Sequence, residues 1–361
     1  MKERRERMRA RQEKLEIDAL LITKPVNVRY LTGFSGSNGQ LIVGPEDVFF
    51  TDPRYETQSS HEVPDCRRVV YQTSAAAIGE AGGLYGSMRD VIRELGIGRL
   101  GVEAGHMTLA TARAIREKVT GVELVETNDE VENFRRIKDA GEVESIRQAC
   151  ATGDKGLEDL LGQLKEGQTE REVAAILEDA MRRAGSEGLS FDTIVAFGEQ
   201  AAEPHHHPGE RRLKKGDLIK LDFGAIHAGY HSDMTRTIAY GKPSDEMVQI
   251  YELVRGSQQA GLDAVRAGAT CGEVDRASRA YLQEHGHTFG HGTGHGLGLE
   301  IHEAPPVRAG SSDVLEPGMV ITVEPGIYLP GTGGVRIEDS VVVTRAGCDI
   351  LTASPKTLVE V

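Results

Sequence analysis

The sequence contains no tryptophan and few cysteines. The four cysteines, Cys66, Cys150, Cys271 and Cys348, are widely separated and form no C-x-x-C pair. A disulfide framework or a cysteine-ligated zinc site is therefore not expected. Such isolated thiols are typical of the reducing cytosol, so we expect a cytoplasmic protein.

Long apolar runs and excess positive charge are also missing. No apolar run approaches the roughly 18 residues that a membrane span requires, and the charged N-terminus MKERRERMRARQEKLE lacks the apolar core of a secretory signal. That segment predicts a solvated helix. A net charge of −14 argues against nucleic acid or an anionic membrane as a partner.

The chain is long enough for two domains, since it has 361 residues of which 39% are hydrophobic. Residues up to about 130 alternate between strand-like and helix-like patterns. Strands are predicted at 18–23, 67–72 and 99–103, a hairpin at 40–52 and helices at 86–95 and 109–119. A polar connector that becomes an amphipathic helix follows at 126–150, and we place the domain boundary near residue 132.

The rest of the chain contains an internal repeat. The pattern G-x-T-x-x-E-V at 167–173 recurs at 268–274, and each copy is a capping box that opens a helix. Further on, L-x-x-G-x-x-x-x-x-D at 213–222 is matched by L-x-x-G-x-x-x-x-x-E at 315–324. Because both matches have nearly the same offset, we predict one domain built from two similar halves related by a pseudo-two-fold axis.

Each half carries two acidic residues in strand-forming segments. Asp222 and Asp233 lie in IKLDFGAIHAGYHSDMTRT, and Glu324 and Glu338 lie in VITVEP and VRIEDS. A single acid in a strand is most often an edge or hydrogen-bonded residue, but a carboxylate in an apolar strand is costly unless it is paired or metal-bound. The repeat predicts that the four carboxylates converge, and two divalent cations would remove their repulsion.

The glycine-rich stretch GHGTGHGLGLEIHEAP, residues 290–305, can supply an imidazole from His291, His295 or His302. Its glycines permit close backbone approach and unusual φ angles. The prolines that follow exclude the helix of a phosphate-binding loop or of an H-E-x-x-H zinc site. An oxygen-rich site with one imidazole suits Mn²⁺ or Co²⁺, with Zn²⁺ or Fe²⁺ as alternatives.

Four motifs, in order, resemble those of the pita-bread metallopeptidases, the family of methionine aminopeptidase, prolidase and aminopeptidase P. They are LDFGAIHAGYHSDMTRT, GHGTGHGLGLEIHE, ITVEPGIY and VRIEDS. VRYLTGFSGSNG and FFTDPRY resemble the creatinase-type domain, which methionine aminopeptidases lack. The resemblance implies an α+β fold, with a small α/β N-terminal domain at 1–132 and a pseudo-two-fold pita-bread catalytic domain at 133–361.

The resemblance also implies which residues hold two metal ions. Asp222 would chelate one ion, and Asp233 and Glu338 would bridge both. His295 and Glu324 would complete the ligands of the second ion. Glu324 would also carry a proton to the leaving nitrogen.

Four further residues match positions that contact the substrate or support the site. His291 and His302 would contact the substrate near the scissile bond, and Arg336 would be a supporting arginine with a catalytic role. His205 would line the pocket beyond that bond, although the neighbouring His206 and His207 leave its identity open by one or two positions.

The resemblance implies a metallo-exopeptidase that forms a homodimer. It would bind two divalent ions, with Mn²⁺ as the first choice and Co²⁺ or Zn²⁺ as alternatives. It would release the first residue of peptides with proline in second place, as a Xaa-Pro aminopeptidase. We prefer this to a prolidase restricted to dipeptides because the loop GFSGSNGQ, 33–40, is small and uncharged, although Arg29 and Arg54 are near it in sequence. A peptide-binding module without activity and a metal-free hydrolase like creatinase are further alternatives.

Overall fold

The computed structural model describes residues 1–73 and 83–361. It divides into two compact units, Met1–Arg135 and Arg136–Val361. The sequence placed the division near residue 132, a few residues before the end of the helix Glu130–Arg135. Within the described ranges, no helix combines the length and apolar character needed to span a bilayer.

The first unit is a six-stranded mixed sheet with helices around it. Its strands are β1 (Ala19–Ile22), β2 (Gly39–Val43), β3 (Val48–Thr51), β4 (Arg67–Val70), β5 (Arg99–Glu103) and β6 (Glu123–Thr127). The spatial order is β4-β3-β2-β1-β5-β6, with β2 and β3 forming the predicted antiparallel hairpin. The helices are α1 (Lys2–Leu15), α2 (Pro25–Thr32), α3 (Glu56–Glu62), α4 (Gly83–Glu94), α5 (Leu109–Lys118) and α6 (Glu130–Arg135).

Three of these elements were not predicted. The helices α2 and α3 are only about two turns long and carry no clear apolar period, so their stability comes from packing rather than from propensity. Strand β6 has the sequence ELVET at the edge of the sheet, where it pairs with β5 alone. Its polar residues resemble a connector, which explains why the sequence pattern did not indicate a strand.

The N-terminal helix α1 is not the fully solvated helix that its charge predicted. Arg5 is 0% exposed, and Met8 and Gln12 are also buried. The Arg5 guanidinium donates to Asp47 at 2.8 Å and to Asp65 at 2.7 Å. A helix that is polar on almost every face can therefore pack against a domain when one of its buried cations forms salt bridges with carboxylates of that domain.

The second unit contains the predicted repeat. Its helices are α7 (Ala140–Leu161), α8 (Glu170–Arg183), α9 (Asp245–Ala264) and α10 (Cys271–Glu284). The capping boxes predicted from the repeat are present, because Thr169 pairs with Glu172 and Thr270 with Glu273 at the starts of α8 and α10. Both helices are followed by a glycine of positive φ, Gly185 or Gly286.

Each half of the repeat ends in a three-stranded antiparallel arrangement. The first half, residues 140–239, has β8 (Leu218–Phe223) between β7 (Ile194–Phe197) and β11 (Met234–Ala239). The second half, residues 245–343, has β14 (Val320–Val323) between β12 (Gly294–Gly296) and β17 (Asp339–Val343). The remaining strands are β9 (Ile226–His227), β10 (Tyr230–His231), β13 (Glu303–Val307), β15 (Gly326–Leu329), β16 (Gly333–Arg336) and β18 (Cys348–Ile350).

The two halves bury separate apolar clusters under their central strands. In the first half, Leu221 and Phe223 of β8 belong to a cluster that contains Leu177 and Met181 of α8. In the second half, Ile321 of β14 belongs to a cluster with residues of α9, α10 and β17. One face of each central strand therefore packs against these apolar residues, and the polar side chains of the strand lie on its opposite face. All four cysteines are free thiols, as predicted.

Candidate metal centre

A cavity of about 400 Å³ in the second unit is lined by residues of both halves. Phe191, Ile194 and Ile301 contribute apolar surface to it. All the site residues proposed from the sequence lie on its wall: His205, Asp222, Asp233, His291, His295, His302, Glu324, Arg336 and Glu338. The fold therefore brings together groups that are more than 130 residues apart in the chain.

Corresponding strand ends deliver the acids from the two halves. Asp222 lies in β8, and Glu324 follows the last residue of β14. Asp233 immediately precedes β11, and Glu338 immediately precedes β17. His295 comes from the short strand β12, which pairs with β14. The repeat thus supplies two acids per half, whereas the imidazole comes from the second half alone.

Three of these side chains form the tightest group. One ligand atom from each of Asp233, His295 and Glu338 lies within 4.8 Å of the other two. His295 Nε2 lies 3.4 Å from Asp233 Oδ2 and 3.5 Å from Glu324 Oε1. The other ring nitrogen, Nδ1, is 3.0 Å from the carbonyl oxygen of Gly296, to which it can donate. That contact leaves Nε2 directed at the acids, as in many metal-binding histidines.

Burial and mutual repulsion make full ionisation of the acids unfavourable in the bare protein. Burial, followed by the charges of Asp233, Glu324 and Asp222, raises the pKa of Glu338 well above its usual range. Burial likewise raises the pKa of Asp233 and of Glu324. Divalent cations would reverse this effect, because they favour the carboxylate form of every acid that they contact.

Two buried carboxylate oxygens have no hydrogen-bond donor among the described residues. They are Asp222 Oδ1 and Glu338 Oε1. An unsatisfied acceptor at such depth is costly, and native proteins rarely retain one without a bound ion or water. With four carboxylates and one imidazole, the donor set fits hard or borderline divalent cations.

Arg336 ties the acid of the first half to the second half. Its Nη2 donates to Asp222 Oδ2 in a short contact, and its Nη1 lies 3.0 Å from the hydroxyl of Tyr328. Arg336 Nε also donates to Thr235 Oγ1 at 3.0 Å, and that hydroxyl donates to Glu338 Oε2 at 2.7 Å. The arginine therefore supports two of the acids, Asp222 directly and Glu338 through Thr235.

His291 is held in one orientation as a neutral imidazole. Its Nδ1 lies 2.7 Å from the carbonyl oxygen of Gly292, and its Nε2 lies 2.9 Å from the hydroxyl of Tyr328. Burial lowers the pKa of His291 to about 4. Both ring nitrogens are therefore already engaged with protein groups when no substrate is bound.

The histidine triplet divides into one buried and two exposed residues. His206 is buried, with Nδ1 2.8 Å from Glu203 Oε2 and Nε2 2.9 Å from Glu170 Oε2. His205 and His207 are exposed residues of the cavity wall. His206 is turned towards Glu170, and of the two exposed histidines only His205 directly follows Pro204, the pair on which the resemblance was based.

The glycines of the 290–298 stretch serve close approach rather than unusual backbone angles. A Cβ atom at Gly294 would lie 2.0 Å from the carbonyl oxygen of Thr322, and one at Gly296 would lie 2.3 Å from that of Ala304. No glycine of this fully described stretch has a positive φ. A side chain at Gly294 would push β12, and with it His295, away from β14, and one at Gly296 would push β12 away from β13.

Sequence reasoning missed several residues that orient the site. Thr235 was inside a quoted motif, two residues after Asp233, and Tyr328 was inside ITVEPGIY. Their neutral hydroxyls gave no electrostatic signal of the kind that identified the acids. Lys220 was also overlooked, although a lysine in the buried run IKLDF is as unusual as the aspartate two residues later.

Comparison with known families matches both units. A model of metallopeptidase family M24 matches residues 144–345, which contain all the proposed site residues. A model of the creatinase/prolidase N-terminal domain matches residues 4–137. The predicted resemblance and the predicted α+β fold class are thereby confirmed.

Three similar proteins cover nearly the whole chain. The Xaa-Pro dipeptidase of Pyrococcus furiosus is 36% identical over 99% of this chain and 100% of its own. A structure described as Xaa-Pro dipeptidase from Bacillus anthracis superposes with a TM-score of 0.94 at 40% identity, covering 99% of both chains. A structure described as X-Pro aminopeptidase from Thermotoga maritima has a TM-score of 0.90 at 34% identity, covering 97% of this chain and 100% of that one.

Proposed function

Because the chain belongs to metallopeptidase family M24, we propose that it is an Xaa-Pro dipeptidase, which hydrolyses the single peptide bond of a dipeptide ending in proline. The observation that carries the proposal is the cavity in which Asp222, Asp233, Glu324 and Glu338 gather around His295. Four acids and an imidazole share this cavity, and two of the carboxylate oxygens have no hydrogen-bond donor among the described residues. A metal centre accounts for all of these features together.

The choice of dipeptides reverses the preference that the sequence suggested. That preference rested on the uncharged loop 33–40, which offered no group to bind a substrate carboxylate. Full-length relatives described as Xaa-Pro dipeptidases at 36% and 34% identity now favour the narrower specificity. An Xaa-Pro aminopeptidase is the second candidate, favoured by the similar Thermotoga maritima structure.

We assign two divalent cations to Asp222, Asp233, His295, Glu324 and Glu338. Mn²⁺ is the first choice, with Co²⁺ or Zn²⁺ as alternatives, because oxygen ligands dominate the set. When bound, such a pair polarises a carbonyl oxygen and lowers the pKa of a water towards neutrality. The protein supplies the fixed geometry, since Arg336 and Thr235 hold Asp222 and Glu338 in place.

His302 is the best candidate to contact the reacting carbonyl group. It lines the cavity, its ring centre lies 4.5 Å from that of His295, and its ring nitrogens have no hydrogen-bond partner among the described residues. An unengaged N–H can donate to a substrate oxygen and to the negative charge that develops on it. His291 has both nitrogens engaged, so its ring contributes shape and a fixed wall beside the substrate.

The leaving nitrogen of an Xaa-Pro bond must gain a proton. It belongs to a proline ring and carries no hydrogen of its own. Glu324 lines the cavity, and its Oε1 accepts a hydrogen bond from Thr322 at 3.3 Å. We assign the proton transfer to this carboxyl group because it lines the cavity and because the family resemblance implies this role for it.

The family resemblance also supports proposals about assembly and organisation. We propose a cytoplasmic homodimer, whose mass light scattering would report as twice that of the 39.1 kDa chain. We further propose that residues 1–132 and 133–361 are the folding domains. Limited proteolysis should then cut near that boundary rather than inside either part.

The activity is tested by a matched set of peptides with the purified protein. Ala-Pro should be cleaved in the presence of Mn²⁺, whereas Ala-Pro-Ala should be cleaved at least about tenfold more slowly. Such a ratio corresponds to roughly 1.4 kcal/mol of discrimination. Asp222→Asn, measured in parallel, should be inactive because the exchange removes a charged ligand.

Other outcomes decide between the candidates. Equal cleavage of both peptides would replace the dipeptidase by the aminopeptidase. If the wild type cleaves neither peptide with any of the three metals, the peptidase proposal itself is wrong.

A further inference from the structure

A fully buried lysine lies beneath the loop that carries the histidine triplet. Lys220 is 0% exposed and lies in β8, two residues before Asp222. Residues two apart on a strand point to the same face, so its side chain extends on the same side as the acid. Its Nζ donates to the carbonyl oxygens of Ala201 at 3.2 Å and Pro204 at 3.4 Å, and to that of Glu203 in a short contact.

These three bonds satisfy all the donors of a buried ammonium group. A lysine has three N–H donors and no acceptor, so three carbonyls complete its hydrogen bonding. Taking an ammonium group out of water is otherwise very costly. Lys220 therefore holds the segment 201–204 in a fixed position against the strand that bears Asp222.

The carbonyl of Pro204 has a second cationic partner. Arg336 Nη1 donates to it at 3.1 Å. Burial and then the charge of Arg336 lower the pKa of Lys220 to about 7, whereas hydrogen bonds to carbonyl oxygens favour its protonated form. The residue immediately before His205 is thus fixed by two buried side chains, one from each half of the repeat.

The residue immediately after His205 is fixed as well. His206 binds Glu170, which is 0% exposed at the start of α8. Glu170 also accepts hydrogen bonds from the backbone N–H groups of Phe197 and Gly209, both at 2.9 Å. The loop is therefore attached to α8 at both of its ends and at His206.

We propose that Lys220 and Glu170 are positioning residues that hold His205 against the cavity and thereby set the affinity for the proline side of the substrate. His205 lies between two anchored neighbours while its own ring is exposed at the cavity wall. The inference rests on the proposed function, since it takes His205 as a substrate-contacting group. It assigns the histidine triplet its roles: His206 anchors the loop and His205 faces the substrate.

The expected effect falls on substrate binding. In Lys220→Met the carbonyls of Ala201 and Glu203 lose the lysine donor, Pro204 keeps only Arg336, and the loop can move away from β8. Misplacing a substrate-binding group by about 1 Å can cost up to roughly 100-fold in rate or affinity. We expect KM for Ala-Pro to rise about tenfold with kcat within about threefold of the wild type, the pattern of an interaction lost equally from bound substrate and transition state.

The test is a double-mutant cycle with Lys220→Met, His205→Ala and their combination. If Lys220 acts through His205, the double variant should have nearly the same KM as His205→Ala alone. Lys220→Arg should keep most of the affinity, because it retains donors for the same carbonyls. Lys215→Met, the same exchange at an exposed residue before the same strand, is the matched control and should leave KM unchanged.

A crystal structure of Lys220→Met provides a readout that does not depend on activity. We expect the segment 201–207 to move while the acids around His295 stay in place. An unmoved segment would overturn the proposal whatever the kinetics show, and so would additive effects on KM. Glu170→Gln, which keeps the size of the side chain, takes the place of Lys220→Met if the latter fails to fold.

Metal content and wild-type activity separate this inference from the proposed function. Mass spectrometry should find equal metal in the wild type and in Lys220→Met. Loss of metal from the variant would overturn the positioning role in favour of a role at Asp222. If the wild type itself does not cleave Ala-Pro, the proposed function is wrong, and the crystal structure still decides whether Lys220 positions the loop.

Discussion

The two halves of the second unit place similar strands and acids around one cavity, but they complete the site in different ways. In the second half, Thr322 lies two residues before Glu324. Its hydroxyl donates to Glu324 at 3.3 Å and accepts from the backbone N–H of His295 at 3.1 Å. In the first half the equivalent residue is Lys220, which reaches past the acid to the loop of His205.

This difference shows how a repeated framework acquires distinct roles. The acids are common to both halves, as expected if the cations proposed above need negative charge from both sides. The second half specialises in ligands, since its short hydroxyl side chain orients an acid and an imidazole. In the first half, the long cationic side chain of Lys220 instead holds a loop at the cavity wall, and we have proposed that this loop presents His205 to the substrate.

The largest expected effect comes from removing one acid from either half. Asp222→Asn and Glu324→Gln should each lower kcat/KM by about 1000-fold or more, because metal ligands and transition-state stabilisation are lost together. Metal analysis and peptide kinetics measure both consequences. Glu246→Gln, an exposed acid at the start of α9, serves as the control. A variant with normal metal content and activity would contradict the equal importance of the two halves.

A smaller effect is expected when the link between the halves is removed. Arg336→Met leaves Asp222 without its partner, and breaking a buried pair in this way typically costs about 3–5 kcal/mol of stability. We expect a lower melting temperature and a drop in kcat/KM of roughly 100-fold, a loss of about 2.7 kcal/mol in transition-state stabilisation. Chemical denaturation and kinetics on Ala-Pro measure the two effects. Wild-type stability would show that Asp222 does not depend on the arginine.

The hydroxyl of Thr235 provides a finer test of that link. Thr235→Val removes the donor to Glu338 while keeping the shape of the side chain. Loss of a partner of a metal ligand typically costs 10–100-fold in metal affinity, so we expect about a tenfold loss for this variant. Titration of Mn²⁺ into the metal-free protein measures it, and Thr235→Ser should retain most of the affinity. Equal affinities for the Val and Ser variants would exclude a role for the hydroxyl.

The smallest effect is expected at Thr322, where the bond to Glu324 is long. Thr322→Val should weaken metal binding by only about threefold, a free-energy change of roughly 0.6 kcal/mol. It should leave KM for Ala-Pro unchanged at saturating metal, in contrast to Lys220→Met. The same titration and kinetics, run side by side, check both statements. A rise in KM at Thr322 would remove the distinction drawn between the halves.

The sequence predicted the parts of the molecule that follow from repetition and buried charge. The capping boxes at Thr169 and Thr270 identified the duplicated helices, and acids in apolar strands identified the cavity wall. These signals are local, because each depends on a residue and its near neighbours in the chain.

Features that depend on partners distant in sequence could not be predicted. Arg5 reads as a solvated residue until Asp47 and Asp65 are placed beside it. Arg336 pairs with Asp222 and not with Glu338, which is only two residues away in the chain. A pattern along the sequence could not show this pair, because its members are more than 100 residues apart and meet only in the folded protein. The sequence kept the dipeptidase as the alternative to the aminopeptidase, and the similar proteins favour that alternative, because a single loop of the first unit was too little evidence for specificity.

Anomalous diffraction from crystals soaked in Mn²⁺ tests the central claim most directly. The account predicts two manganese peaks per chain in the cavity, coordinated by the acids of both halves and by His295. Crystals without manganese at these residues, from a protein that nevertheless cleaves Ala-Pro at its wild-type rate, would contradict it.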